Sequence, residues 1–419
     1  MTARRRRPPG EGSVFEYKTR DGVTRFGIKF DTPSGDGKRH QVMRRRDANG
    51  QPWLDREAAV AALREAVVKA DKGDWIEPSM QPLAEWLETW VNGLRVQPST
   101  RARYRNDITS HVIPYIGAVP LAKLTSAKLD ALYRELEESG HRDSKGQRTG
   151  KPLSLRSVRS VAITLSAALN AATNSEPPLL TRNPAVKSKP PTDKEAQAAA
   201  PEMRPWTAEQ LRHFLAWARD HHRRFFAIWY VLAYTGMRRG ELLALRWRDI
   251  DLDAATISVR RSVGVVRVTG QRGYLREGPT KTSKPRVVDI DLETVAVLRA
   301  WKRDRGALAL QLARNDAVVF GTHEGEFRQP ERLSHLFRET QQRCARMLGD
   351  DALPVIRMHD LRHTHATILL RDRENVKVVS ERLGHANVTV TLTTYSHVMP
   401  GDQRQAAARF AALVADAGA

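Results

Sequence analysis

The sequence predicts a multidomain chain: a small β-sheet plus one helix, then an all-α helical domain, then a mainly helical α+β domain. Three observations carry this. The chain has 419 residues, more than one ordinary domain holds. Its apolar residues change period along the chain: two over 13–46, helical spacing over 83–172, and a mixture after 206. Proline-rich stretches separate the parts, at Pro78–Pro82 and again over 181–205, which holds five prolines. The domains read as 1–76, 80–178 and 206–419, with 179–205 as a linker.

The first domain opens on the basic run Arg4–Arg7, either a phosphate-contacting arm or a solvated tail. The alternating runs SVFEYKT and VTRFGIKF flank Asp21-Gly22, a strong hairpin signal. RHQVMRRR supplies a third strand after a turn around Ser34–Gly37. A helix follows, with Asp55 as its cap and Gly73 as its stop. Residues 1–50 hold thirteen Lys and Arg against six Asp and Glu. A ribbon ending in Arg44, Arg45 and Arg46 therefore suits a DNA groove, against the plainer reading of a solvated sheet face.

The second domain reads as four helices: LAEWLETWVNGL, TRARYRNDITSHVIPYI capped by Ser99, LTSAKLDALYRELEES with Thr125 or Ser126 as cap, and LSLRSVRSVAITLSAALNAAT. The third opens on a capping box, Thr207 with Gln210. RRFFAIWYVLAYTG is apolar all round, so it is a buried helix ending at Gly236. A new helix, MRRGELLALRW, starts there. Strand-like ATISVRRS, VGVVRVTG and RVVDIDL follow, then a helix from Leu292 to about Leu312, a short strand AVVF, a helix over RLSHLFRETQQRCARML, and a last helical stretch.

Composition narrows the function. A net charge of +21 implies a polyanionic partner. Coding bias accounts for Arg over Lys, not for bases over acids. No apolar run approaches the ~18 residues of a membrane span, and MTARRRRPPG is not a secretory signal. The single Cys344 excludes an intramolecular disulfide and fits a cytoplasmic setting.

The chemistry-bearing residues lie in the third domain. Arg238 stands just past a helix-ending glycine, with Glu241 one turn on; it is either an anion ligand or half of a buried ion pair. Lys281, in GPTKTSKPR, is either a solvated loop lysine or a proton donor that swings into a cleft. His359, Arg362 and His363 share one helix face. His359 and His363 have the spacing of the zinc helix HExxH, but Asp360 replaces the glutamate and Arg362 sets a positive charge beside any metal. An HD-type metal phosphohydrolase is opposed in the same way, since no carboxylate cluster accompanies His359-Asp360 in the sequence. Tyr395 is either packing or a nucleophile; with phosphate charge neutralised by two guanidiniums and imidazoles to take its proton, a phenol can attack.

Taken together, Thr235-Gly236-Met-Arg238-Arg-Gly-Glu241, Lys281-Thr282, His359-Asp-Leu-Arg362-His-Thr, Leu383-Gly384-His385 and Thr394-Tyr395-Ser-His397 resemble the tyrosine site-specific recombinases of the phage integrase family. The resemblance implies an arm-type DNA-binding domain, a helical SAM-like core-binding domain and a catalytic domain. It implies that Arg238 and Arg362 clamp the scissile phosphate, His359 is general acid/base, His385 orients the phosphate, Lys281 (or Lys284) protonates the leaving 5′-hydroxyl, and Tyr395 forms a 3′-phosphotyrosyl bond. It implies no cofactor, metal or ATP. Its partners are core-type and arm-type attachment sites in double-stranded DNA, three further copies in a tetramer, and possible excisionase and host DNA-bending proteins. The ten-residue step from His385 to Tyr395 suits integrases of phage-like or plasmid-like elements, and the basic first domain argues against the alternatives, a chromosome-dimer or plasmid resolvase. A DNA-binding protein without catalysis is opposed by the complete set of six residues. His363 is expected to pack in the core.

Overall fold

The computed structural model describes residues 12–33, 39–47, 51–71, 79–143, 145–267, 273–280, 285–349, 353–396 and 403–416. Arg4–Arg7, the turn at 34–37, Gly73, Lys281, Lys284 and His397 lie outside the described residues. The chain divides into two compact units, residues 1–94 with 107–197, and residues 95–106 with 198–419.

The first unit begins with the antiparallel sheet β1 (Ser13–Lys18), β2 (Thr24–Pro33) and β3 (Arg39–Arg44), in that order. Lys18 pairs with Thr24 across the hairpin, and Gly22 takes the positive φ of 77° that the turn needs. Helix α1 (Arg56–Asp71) is capped by Asp55, whose Oδ1 accepts from the Ala58 amide at 2.7 Å. Its Ala59, Leu63, Ala66 and Ala70 recur at helical spacing and pack with Ile28, Phe30 and Trp53. Arg45 lies over the Tyr17 ring at 4.8 Å.

Helices α2 (Leu83–Gly93), α3 (Pro98–His111), α4 (Ile113–Ile116), α5 (Ser126–Ser139), α6 (Leu155–Thr173) and α7 (Asp193–Ala198) follow. Thr125 caps α5 and Ser154 caps α6. Leu83, Leu87 and Val91 bury one stripe of α2, and Trp86 donates its indole N–H to the Ala168 carbonyl of α6 at 2.9 Å. Buried Asp107 accepts from Thr164 at 2.8 Å and Ser160 at 3.2 Å, so its charge is held by hydroxyls. The sequence reads one helix from Thr100 through Ile116; the structure starts it at Pro98 and breaks it after His111, where Pro114 blocks continuation. The proline-rich stretch also carries structure: Asn183 caps a 3₁₀ turn, Pro184–Lys187.

The second unit holds α8 (Ala208–His221), α9 (Arg223–Thr235), α10 (Arg239–Leu243), strands β4 (Ile250–Asp251), β5 (Thr256–Val259), β6 (Arg261–Val266), β7 (Tyr274–Pro279) and β8 (Arg286–Asp289), then α11 (Leu292–Leu308), α12 (Pro330–Leu348), α13 (Asp360–Arg371), α14 (Val376–Leu383), α15 (Val388–Tyr395) and α16 (Gln403–Asp416). Strands β4, β5 and β8 form one antiparallel sheet, and β6 and β7 a second. The capping box of Thr207 and Gln210 is present. Trp206, Phe214, Trp229 and Phe337 meet in the core with ring centroids 4.9 to 6.0 Å apart.

Two expectations change. The AVVF segment is buried but forms no strand: Val318 makes one bridge to Arg246, and Val319 donates to the Leu245 carbonyl. One bridge fixes a loop without a ladder to extend it. Strand β7 is missing from the sequence reading, because YLREGP is largely polar, ends in Gly-Pro and carries little apolar alternation.

Candidate active site

The site grows from the C-terminal end of α9. Buried Thr235 returns its hydroxyl to the Val231 carbonyl, and Gly236 ends the helix at φ 62°. A Cβ at Gly236 would meet His365 at 2.8 Å and Leu383 at 2.9 Å, so backbone must pass here bare. The carbonyl of buried Gly236 then accepts from Arg362 Nη1 at 2.9 Å. The helix stop is thus the dock for a guanidinium from α13.

Arg238 precedes α10 and is bound to Glu241 twice, through its amide at 3.0 Å and its Nη1 at 2.7 Å. Its Nη2 donates to the Gly384 carbonyl at 3.2 Å. Glu241 is only 1% exposed and takes a second guanidinium, Arg286 Nη2, at 2.7 Å. Arg286 also donates from Nε to the Arg382 carbonyl at 2.9 Å. One carboxylate and one arginine so tie α10, β8 and the end of α14 together. Burial pushes the Glu241 pKa up, but its bonds and charges with Arg286 and Arg238 outweigh this and hold it below the ordinary carboxylate range. The ion pair foreseen for Arg238 exists, and its side chain remains 22% exposed, so it faces both a partner and solvent.

Arg362 is 2% exposed, and its Nη2 has no hydrogen-bond partner among the described residues. Burial, then the charge of Arg238, press its pKa below the ordinary value. A guanidinium does not give up its proton. The arrangement is therefore an unmet demand for an anion.

The imidazoles are kept neutral by the same forces. Burial first, then Arg362, lowers the pKa of His359. Burial, followed by Arg362 and Arg238, lowers that of His385 to about 4. His385 follows Gly384, which closes α14 at φ 66°, and its Nδ1 lies 2.7 Å from Thr391 Oγ1. The hydroxyl fixes the ring plane.

Tyr395, the last residue of α15, is wholly buried. Its Oη lies 2.7 Å from His363 Nδ1, and the rings stand 5.6 Å apart. His359 packs edge-on against His363 at 5.2 Å. His363 is thus half-buried at the phenol and not lost in the core. The sequence missed this, as it missed Arg286, because each acts on a partner distant in sequence; it missed Thr391, only six residues from His385, because a lone threonine carries no local signal. The structure gathers Arg238, His359, Arg362, His385 and Tyr395; Lys281 and Lys284 lie between β7 and β8, outside the described residues. Among the described residues no group of three or more His, Cys, Asp or Glu is placed to hold a metal ion. The arrangement joins two guanidiniums, three neutral imidazoles and a buried phenol, a set able to bind a phosphate ester and transfer its phosphoryl group to oxygen.

Residues 204–401 match the phage integrase family, and residues 82–136 match the phage integrase N-terminal SAM-like domain. The chain is 28% identical over 305 residues to the ICEBs1 integrase of Bacillus subtilis (strain 168), covering 72% of this chain and 74% of that one. It is 25% identical over 388 residues to the integrase of Mycobacterium phage D29, covering 92% and 91%. Among solved structures, it is similar to the Tn1549 transposon integrase in complex with transposon right end DNA, at 20% identity and a TM-score of 0.63, over 79% of this chain and 99% of that one. It is also similar to a lambda integrase dimer bound to a COC′ core site, at 16% identity and a TM-score of 0.52, over 96% and 98%. These structural likenesses establish a common multidomain fold, mostly helical with small sheets.

Proposed function

The chain belongs to the phage integrase family of tyrosine recombinases, and we propose that it integrates and excises a phage-like or plasmid-like mobile element using Arg238, Lys281, His359, Arg362, His385 and Tyr395. It is a site-specific DNA recombinase, cutting and rejoining DNA strands. The observation that carries the residue assignment is Arg362: a buried guanidinium with one nitrogen unbonded, near Arg238 and acting electrostatically on Tyr395.

A scissile phosphate bound there takes the free Arg362 nitrogen and the exposed part of Arg238. Two guanidiniums then neutralise the charge that would repel an oxygen nucleophile. His385, held by Thr391, and His359 hydrogen-bond the non-bridging oxygens, and His359 exchanges protons there as general acid/base. Tyr395 Oη attacks phosphorus; the Oη–P bond forms as the P–O5′ bond breaks, and Lys281 protonates the leaving 5′-oxygen. The 3′-phosphotyrosyl bond conserves the ester, so a partner strand's 5′-hydroxyl reverses the step without ATP.

Double-stranded DNA is the partner. On this reading the helical domain and catalytic domain grip core-type sites, the β1–β3 domain grips arm-type sites, and four copies act together. An excisionase and a host DNA-bending protein are candidate further partners on this reading, and the reaction takes place in the cytoplasm. Cleavage of a core-site duplex in EDTA tests the chemistry. Undiminished covalent cleavage is expected; activity that vanishes with chelator and returns with a divalent cation overturns the mechanism.

A further inference from the structure

We infer that His363 is the residue that takes the phenolic proton from Tyr395 during attack and returns it when the strand is rejoined. The inference rests on Tyr395 being the nucleophile and adds a residue outside the six. Its geometry is direct: Nδ1 stands 2.7 Å from Oη, within proton-transfer reach. His359 stands one ring further along, 5.2 Å from His363 between ring centroids.

Tyr395 needs such a neighbour. Burial pushes its phenol up to about 12, so at neutral pH the free phenolate is on the order of one molecule in 10⁵. His363 is the complementary group: burial first, then His359, presses its pKa down to about 4, leaving it neutral. With Nε2 protonated, Nδ1 is an acceptor and the phenol donates. Among the described residues, the charged or titratable groups facing it are His359, Asp360, Arg362 and Arg357 on its own helix and the turn before it, Tyr395 from α15, and His385 from the turn after α14. The imidazoles are neutral and Arg357 pairs with Asp360 at 2.9 Å, so the net positive charge among these six is that of Arg362. A phosphodiester anion beside Arg362 offsets that positive field, so His363 becomes a stronger base when DNA arrives. The phenol thus stays protonated in the free protein.

The step balances. Oη–P forms, P–O5′ breaks, the phenolic proton moves to Nδ1 to give an imidazolium, and the 5′-oxygen takes its proton from the acid on the leaving side. On rejoining, the imidazolium returns the proton to Oη.

The test uses the full chain on nicked suicide duplexes carrying its core site, one with the natural 5′-oxygen and one with a 5′-bridging sulfur, which leaves without a proton. His363→Asn keeps a hydrogen-bonding group near Nδ1 but has no basic nitrogen; His363→Gly opens a space for free imidazole. Single-turnover cleavage by His363→Asn is expected to fall about 10²- to 10⁴-fold on both substrates, with duplex binding and melting temperature kept. The acidic limb of the wild-type pH–rate profile should disappear, and imidazole should restore His363→Gly in proportion to its free-base form. A His363→Asn rate within threefold of wild type, an unchanged acidic limb, or rescue by the sulfur substrate alone overturns the assignment. Should His363→Asn fail to fold, the imidazole response of His363→Gly decides, and no response refutes the proposal. Adduct formation by Tyr395→Phe would instead overturn the nucleophile itself, a separate outcome.

Discussion

Replacing Glu241 by alanine removes one carboxylate from two guanidiniums. The structure sets the scale. Glu241 is 1% exposed, and the side chains of Arg238 and Arg286 keep 22% and 10% exposure, both at 2.7 Å. Removing one partner of a buried pair costs about 3–5 kcal/mol, because the charge left behind is uncompensated. Solvent reaches Arg238 enough to recover part of its share, so the lower end, about 3 kcal/mol, is expected. For a domain of this size each kcal/mol moves the melting temperature ~2–4 °C, giving a drop of about 6–12 °C. Glu241→Gln keeps the shape without the charge and should fall between the two. Because the Glu241 pKa lies below the ordinary carboxylate range, its contribution is complete above that range and is lost as pH falls through the folded-state pKa. Differential scanning calorimetry reads the melting shift, and suicide-substrate cleavage reads the loss of Arg238 positioning. A Glu241→Ala protein melting within 2 °C of the parent would refute the claim that this carboxylate holds the site together.

Three further outcomes are expected. Thr391→Val frees the His385 ring, costing about one hydrogen bond, ~1 kcal/mol, and lowering cleavage several-fold while DNA affinity holds; an unchanged rate contradicts the tether. His363, His365 and His385 are each pressed to about 4, chiefly by burial. Unfolded imidazoles titrate near ~6.5, so between these values the unfolded chain binds more protons and stability falls as pH drops from ~6.5 to ~4; a melting profile flat over that window contradicts the burial. Deleting residues 1–75 should spare core-site cleavage and impair integration, and full integration by the truncated protein refutes the arm-site role of β1–β3.

The fold was legible where local chemistry decides. Asp21-Gly22, the Thr207 capping box and Gly236 each predict a boundary, and each boundary is present. Legibility failed where tertiary contacts decide: AVVF is held as a loop by one bridge, and β7 exists only through its pairing with β6. The site divides the same way. Arg238 and Glu241 are three residues apart and readable. Arg286 joins Glu241 across 45 residues and His363 joins Tyr395 across 32, distances over which nothing in the sequence reports a contact. His359 and His363, whose spacing suggests zinc, are instead packed ring to ring, with His363 turned to the phenol.

The central claim is that Tyr395 becomes covalently joined to DNA. Trapping the protein on a nicked core-site duplex in EDTA, followed by proteolysis and mass mapping of the DNA-linked peptide, tests it directly. The account predicts one adduct, a 3′-phosphotyrosyl bond at Tyr395, absent from Tyr395→Phe although that variant still binds the duplex. An adduct on any other residue, or one that survives Tyr395→Phe, contradicts it.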